Sequence, residues 1–550
     1  MSAIKFDTII QGATIYDGEG GSTFCADVGI SGDKIIEIGD LNTPAANVIK
    51  GHGLALMPGI IDVHTHYDAQ ITWDPTLSPS PSMGVTTAVM GNCGFGIAPC
   101  PKKHQEIMLK NLSVVEGMNL NTLLEGTQWK FESFPDYLNF IDEQRPHPNV
   151  AVLIGHSAIR TAVMGEESST RVIPTQEELN TMRGIVDEAL TSGAIGFASS
   201  FSPNHSGFGG RPMPSTIAED AELYALLEPI KQRKGVFVTA GGGRATPEYL
   251  EHISKTFDCP TFLVSVLAMY NDSDPTASSS YYERCGYALD RGHEVYIHAN
   301  PHPLSFDFTL RNPYIFYAHE AFTSVKMAAA GDLKAIYKSR TFREQFAKDL
   351  TENHVGVIFS GAWDKIELNE TPITEIAKSA NMNPLDWIFD QDLDTQFVGK
   401  MYQNNDEGVA KLLTHQNAIM ALSDAGAHVE FLCDAGFGLF FMRHWALDTG
   451  TFTLSRAIQK LTSDQAAKYR IKKRGKIKTG YFADLVLFDP ESVGISKLYR
   501  LNDLPGSGSR LMRNPTGING VWVNGKKVVN ANKPLSLQQG PGHILTEFDF

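Results

Sequence analysis

The sequence predicts an α/β fold, a (β/α)8 TIM-like barrel with a small β-sandwich domain built from both termini. Three observations predict it. Eight apolar runs rich in Val, Ile, Phe or Ala alternate with amphipathic helical segments, the pattern of parallel β/α units. Each run ends in a polar or small residue, as buried parallel strands do where they emerge at the face that carries reactive groups. Short alternating strands with Gly, Asp and Asn turns stand at both ends of the chain, and neither end has enough apolar residues to close a core alone.

From the N-terminus, FDTIIQGATIYDG, ADVGISGDKIIEIG and GLALMPG read as half of a sheet, and ADLVLFDP and GVWVNGKKVV, with an Asn-Gly hairpin turn, supply the other half. Residues 1–55 and 480–550 are therefore expected to share one small domain, and residues 56–479 to form the barrel. Its strands read GIIDVHTH, VTTAVMGNCG, VAVLIGH, AIGFASS, GVFVTA, TFLVSV, EVYIHA and IMALSDA. Their ends present His64, His66, Cys93, His156, Ser199, Ser200, Thr239, Ser265, His298 and Asp424, which form the list of site candidates. Residues 306–401 are too long and too aromatic for one β/α connection and read as an insertion over the barrel mouth. With 550 residues and 42% hydrophobic composition the chain can bury such a core.

A formal net charge of -15, spread without an acidic tail, argues against nucleic acid or an anionic membrane as partner and leaves small molecules. The start, MSAIKFDTII, lacks the pattern of a secretory signal, and no apolar stretch is long enough to span a bilayer. Six scattered cysteines make no disulfide framework and fit reduced thiols, so a cytoplasmic location is expected. The oligomeric state is open, a homo-oligomer included.

His64 and His66 stand two apart at a strand end, so both side chains face into the barrel, where neutral imidazoles suit Zn²⁺ or another divalent ion. Two histidines in one strand can equally be packed core. The Pro-Gly turn that opens MPGIIDVHTHYD, and Asp424 in LSDAGAH at the end of the last strand, favour the metal. His205, His298 and His156 are further candidates for metal or substrate, and Arg160, Arg211 and Arg244 are candidates to hold a substrate carboxylate.

With MPGIIDVHTH, GVTTAVMGNCGFGIAPC, VLIGHSAIRTAVMG, SGAIGFASS, LSDAGAH and RGKIKTGYFADLVLFD in this order, the chain resembles the amidohydrolase superfamily, in particular its D-aminoacylase branch. The resemblance implies that His64, His66 and Cys93 are metal ligands, with a thiolate in place of a bridging lysine, and that Asp424 is the general base and a further ligand. The branch pattern also places a metal-binding histidine at the ends of the fifth and sixth strands, as Thr-His and Ser-His. Here those places read VTAGGGR and LVSVLA, so both are absent and a single Zn²⁺ per chain is expected. The function expected is hydrolysis of a small N-acyl compound, foremost an N-acyl-(D-)amino acid, by metal-activated water. A cyclic-amide hydrolase of the hydantoinase or dihydropyrimidinase kind is the alternative, although AIGFASS lacks the bridging lysine it would carry. A degenerate, non-catalytic barrel is a third reading.

Overall fold

The computed structural model describes residues 5–272, 274–329, 331–352, 357–430 and 432–550. Residues 1–4 of the expected small domain, 273 and 431 of the barrel segment, and 330 and 353–356 of the expected insertion lie outside this set.

Eight parallel strands form one sheet in chain order: Ile60–Asp62, Val85–Met90, Asn149–Gly155, Gly196–Ser200, Val236–Ala240, Thr261–Val264, Val295–Ala299 and Ala418–Met420. Just beyond the ends of the first and last strands, a parallel bridge between Thr65 and Ala425 joins the two edges. The sheet thereby curls into a (β/α)8-type barrel. The strands are buried along nearly their whole length, which is why they read as apolar runs rather than as alternations. Ile61, Val89, Leu153, Val238 and Phe262 belong to the cluster inside, and each such side chain contributes roughly 1.5–3 kcal/mol through burial. At the opposite end from the site, the C-terminal tail closes the barrel: Val150 pairs with Ile544, and Leu545 and Phe548 pack on the same interior cluster.

The small domain is one nine-stranded sheet drawn from both termini. Ala55–Pro58 pairs antiparallel with Leu485–Phe488, so the two ends of the chain meet in the middle of the sheet. Phe6–Ile15 carries Ala45–Lys50 along its first half and Ala55–Pro58 along its second, which bends the sheet around Ile10, Ile15, Val28, Leu56, Leu485 and Trp522. The hairpin of Tyr499–Leu504 and Gly508–Met512 leaves this sheet and leans on the loop after the last barrel strand, where Leu511 N donates to Val429 O at 2.7 Å.

Between the seventh and eighth strands, Leu304–Phe308, Phe397–Tyr402, Ile366–Leu368 and Thr371–Pro372 make a separate four-stranded sheet with short helices around it. Its own core is aromatic, with Phe308, Phe316, Phe322, Phe346 and Phe389 in mutual contact, and it reaches the barrel through Leu304, Leu422 and Leu432. This subdomain roofs the end of the barrel at which the strands terminate. No helix among the described residues is long and apolar enough to cross a membrane.

Candidate metal centre

Three strand ends build the centre. The first strand continues past Asp62 in extended form because Thr65 N donates to Val89 O at 3.0 Å and His66 N to Ala425 O at 2.7 Å, holding it between the second and eighth strands. His64 and His66 consequently point the same way. The second strand ends in Gly91, Asn92, Cys93 and Gly94. Asn92 Nδ2 donates to Val89 O and Thr65 O, and Cys93 takes a left-handed backbone with φ 55° that turns its thiol toward the histidines. A Cβ on Gly94 would stand 3.0 Å from Ala198 O, so the turn fits against the fourth strand only with glycine. After the eighth strand, Leu422 and Asp424 also have positive φ, 70° and 44°, and Ser423 Oγ donates to His64 O at 3.0 Å. Non-glycine residues held in this region carry strain of order 1–3 kcal/mol, a cost that clusters at functional sites.

The donor atoms converge. His64 Nε2 lies 3.3 Å from His66 Nε2 and 3.7 Å from Cys93 Sγ, and the three ligand atoms are all within 4.8 Å of one another. Asp424 Oδ1 approaches from the imidazole side, 3.2 Å from His64 Nε2 and 3.7 Å from His66 Nε2. Tetrahedral Zn²⁺ at its usual bond lengths would set nitrogen donors about 3.3 Å apart and sulfur about 3.5 Å from nitrogen, so the residues present fit the ion. The charges agree with this. Burial opposes a charge on each group, but the Cys93 thiolate and the Asp424 carboxylate push His64 up to about 9. Against the same burial, the two histidines hold Cys93 below its usual value and Asp424 well below the carboxylate range. A buried thiolate and carboxylate are thus arranged to face positive charge, which a divalent cation supplies without protonating the imidazoles.

Behind the ligands stand groups that orient them. His66 Nδ1 is 3.1 Å from Glu116 Oε1, at the C-terminal end of helix Gln105–Val115. Burial would raise this carboxyl, but His66 outweighs it and keeps Glu116 ionised. His64 Nδ1 is 3.0 Å from His298 Nδ1, whose Nε2 is 2.8 Å from the Tyr469 hydroxyl. A metal held at His64 Nε2 would leave Nδ1 to carry the proton and donate to His298. Burial and the adjacent His64 hold His298 well below its usual range, so it stays neutral and can accept. His298 therefore stands behind His64, on the side of the ring away from the Cys93 thiol. Glu116 and Tyr469 escaped the sequence reading because neither sits at a strand end or in a recognisable spacing.

The cavity over the centre has a volume of about 100 Å³. His205 lies in its wall, with Nδ1 2.6 Å from Ser200 Oγ and its ring against Phe95, and burial pushes its imidazole down to about 3. His156 is elsewhere: both its nitrogens are engaged, by Ser199 Oγ at 2.9 Å and Glu222 Oε1 at 2.8 Å. Arg160, fully buried, pairs with the other oxygen of Glu222 and donates to Arg171 O. Arg244 pairs with Asp220 and donates to Ala218 O. Arg211 lines a separate surface cleft with Lys103, Lys110 and Phe208. None of these four residues lines the cavity over His64 and His66.

The sequence profile of the Amidohydrolase family matches residues 47–529, most of the chain. The chain belongs to this family. It is 28% identical to a D-aminoacylase of Alcaligenes xylosoxydans xylosoxydans over 95% of this chain and 94% of that protein. A crystal structure of D-aminoacylase, described as defining a novel subset of amidohydrolases, superposes with TM-score 0.68 at 25% identity, covering 98% of this chain and 100% of its own. A second D-aminoacylase structure, reported for the functional role of a binuclear metal centre with one-metal activation and second-metal attenuation, gives TM-score 0.67 at 25% identity over 98% of this chain and 100% of its own. This amidohydrolase accordingly carries a site for a divalent metal. It is a hydrolase of carbon–nitrogen bonds other than peptide bonds.

Proposed function

We propose that this amidohydrolase cleaves the amide bond of a small N-acyl amino acid or a close N-acyl analogue, using one divalent ion per chain. His64, His66 and Cys93 would hold it, and its thiolate-and-imidazole donor set suits zinc. The observation that carries the reading is the convergence of these three donor atoms beside a carboxylate that is held ionised. A divalent cation held there by His64, His66 and Cys93 would supply polarisation of the amide carbonyl and a more acidic attacking water.

Asp424 takes the water's proton and passes it to the leaving nitrogen. Its oxygen stands beside both histidines on backbone pinned by Ser423 and Gly426, so it needs no rearrangement to reach a water at the open side of the centre. A Cβ on Gly426 would meet His66 O at 2.6 Å, which ties the base to the ligand strand. Glu116 fixes His66, and the His298 and Tyr469 pair fixes His64, so both imidazoles present Nε2.

One ion rather than two is supported by the fifth and sixth strand ends. Where the branch pattern has histidines, Ala240 and Val266 line the cavity and can donate nothing. The fourth strand, Gly196–Ser200, offers serines and no lysine, which disfavours the cyclic-amide alternative.

The test is reconstitution. After chelation the protein should lose hydrolysis of N-acyl D- or L-amino acids, and about one equivalent of Zn²⁺ per chain should restore it fully. Full activity in the chelated protein, or a requirement for two equivalents, would overturn the proposal.

A further inference from the structure

Resting on the hydrolase reading above, the cavity says more about what it admits. Three of its wall residues carry acidic side chains, Cys93, Glu116 and Asp424, and all three stand at the donor cluster. Among the described residues of the wall there is no lysine or arginine. Of the cations on neighbouring segments, Arg160 pairs with Glu222, Arg244 with Asp220, and Lys326 donates to Tyr317 O and Ser206 Oγ, while Arg211 faces a separate surface cleft. Away from the donor cluster the wall is apolar, with Phe95, Val266, Met269, Phe306, Ile358 and Leu432, and its remaining polar side chains are the imidazoles of His205 and His428, the Tyr314 phenol and the hydroxyl and amide groups of Ser202, Asn204, Ser265 and Asn300.

We infer that this cavity selects N-acyl compounds whose amine-side portion is uncharged and apolar, such as carboxyl-masked N-acyl amino acids, over those that carry a free carboxylate. A substrate carboxylate turned away from the metal would be desolvated with no lysine or arginine of the wall to pair with, and would lie near the acidic side chains of Glu116 and Asp424. A carboxamide loses less on entering, because neutral donors and acceptors replace its water. Apolar side chains on the substrate gain from the wall contributed by the roof subdomain and the sixth strand end.

The experiment compares N-acetylleucine with N-acetylleucinamide, each as D and L enantiomer, on the metal-loaded protein at one pH. The preferred enantiomer of the carboxamide should be cleaved at the N-acetyl bond with kcat/KM at least about tenfold above that of the acid. Equal values, or preference for the acid, would overturn the inference while leaving the hydrolase reading intact. Should neither be hydrolysed, the hydrolase reading fails for this substrate class, and calorimetric titration of the same pair decides separately. Binding of the carboxamide at least about tenfold tighter supports the inference. Equal affinity, tighter binding of the acid, or binding of neither refutes it.

Discussion

The two sides of the barrel mouth differ in chemistry although they are built from the same kind of strand. On one side the ends of the first, second and eighth strands bring His64, His66, Cys93 and Asp424 together on left-handed or extended backbone. On the other, the fifth and sixth strands end in small or apolar residues, Ala240, Gly241, Ser265 and Val266, on backbone paired in parallel without a register shift. Ligating power therefore resides in the side chains at the strand ends and not in the barrel. Replacing donors by Ala and Val on one side leaves an apolar wall facing a complete three-donor set on the other.

The largest test of this asymmetry is Asp424→Asn. The amide keeps the size of the carboxylate but cannot take a proton, so turnover should fall by about 10²-fold or more while the melting temperature and most of the metal are kept. Activity within about threefold of the parent would remove Asp424 from catalysis. A smaller effect is expected from Glu116→Gln, which leaves His66 without its charged partner. Metal affinity, read by competition with a chromogenic chelator, should weaken about 10–100-fold, and an unchanged affinity would show that Glu116 does not support His66. Least disruptive to turnover should be the double substitution Ala240→His with Val266→His, which equips the apolar side with donors. Metal analysis should then rise from about one to about two equivalents per chain, and a value still near one would mean that more than the two side chains separates the sides.

Much of this architecture is legible locally. The eight strands of the barrel follow from apolar runs whose length and β-branched content suit burial on both faces. The pairing of Ala55–Pro58 with Leu485–Phe488 agrees with two half-sheets that cannot close separately. The convergence of His64, His66 and Cys93 was legible because they sit at strand ends, where direction is set by the pleat and position by barrel geometry. The arginines were not interpretable in this way. Arg160 and Arg244 lie near strand ends in sequence, but their long side chains turn away to Glu222 and Asp220, partners on or at the start of helix Asp220–Arg233. His298 occupies a strand end and still lies outside the donor cluster, because it meets His64 at Nδ1, the nitrogen turned away from Cys93 and His66.

What the sequence by itself determined is the set of donors and its gaps: two imidazoles, one thiol and one carboxylate at strand ends, with Ala240 and Val266 where further donors would stand. These are matters of residue identity and local period. Only the tertiary structure decided which nitrogen of each histidine faces the shared cluster, that Glu116 and Tyr469 stand behind those rings, and that the described residues of the cavity wall include no lysine or arginine. Those outcomes depend on distances of 3 Å or so between segments remote in the chain, where hydrogen bonds and ion pairs are made or lost within a fraction of an ångström, and no local spacing encodes them.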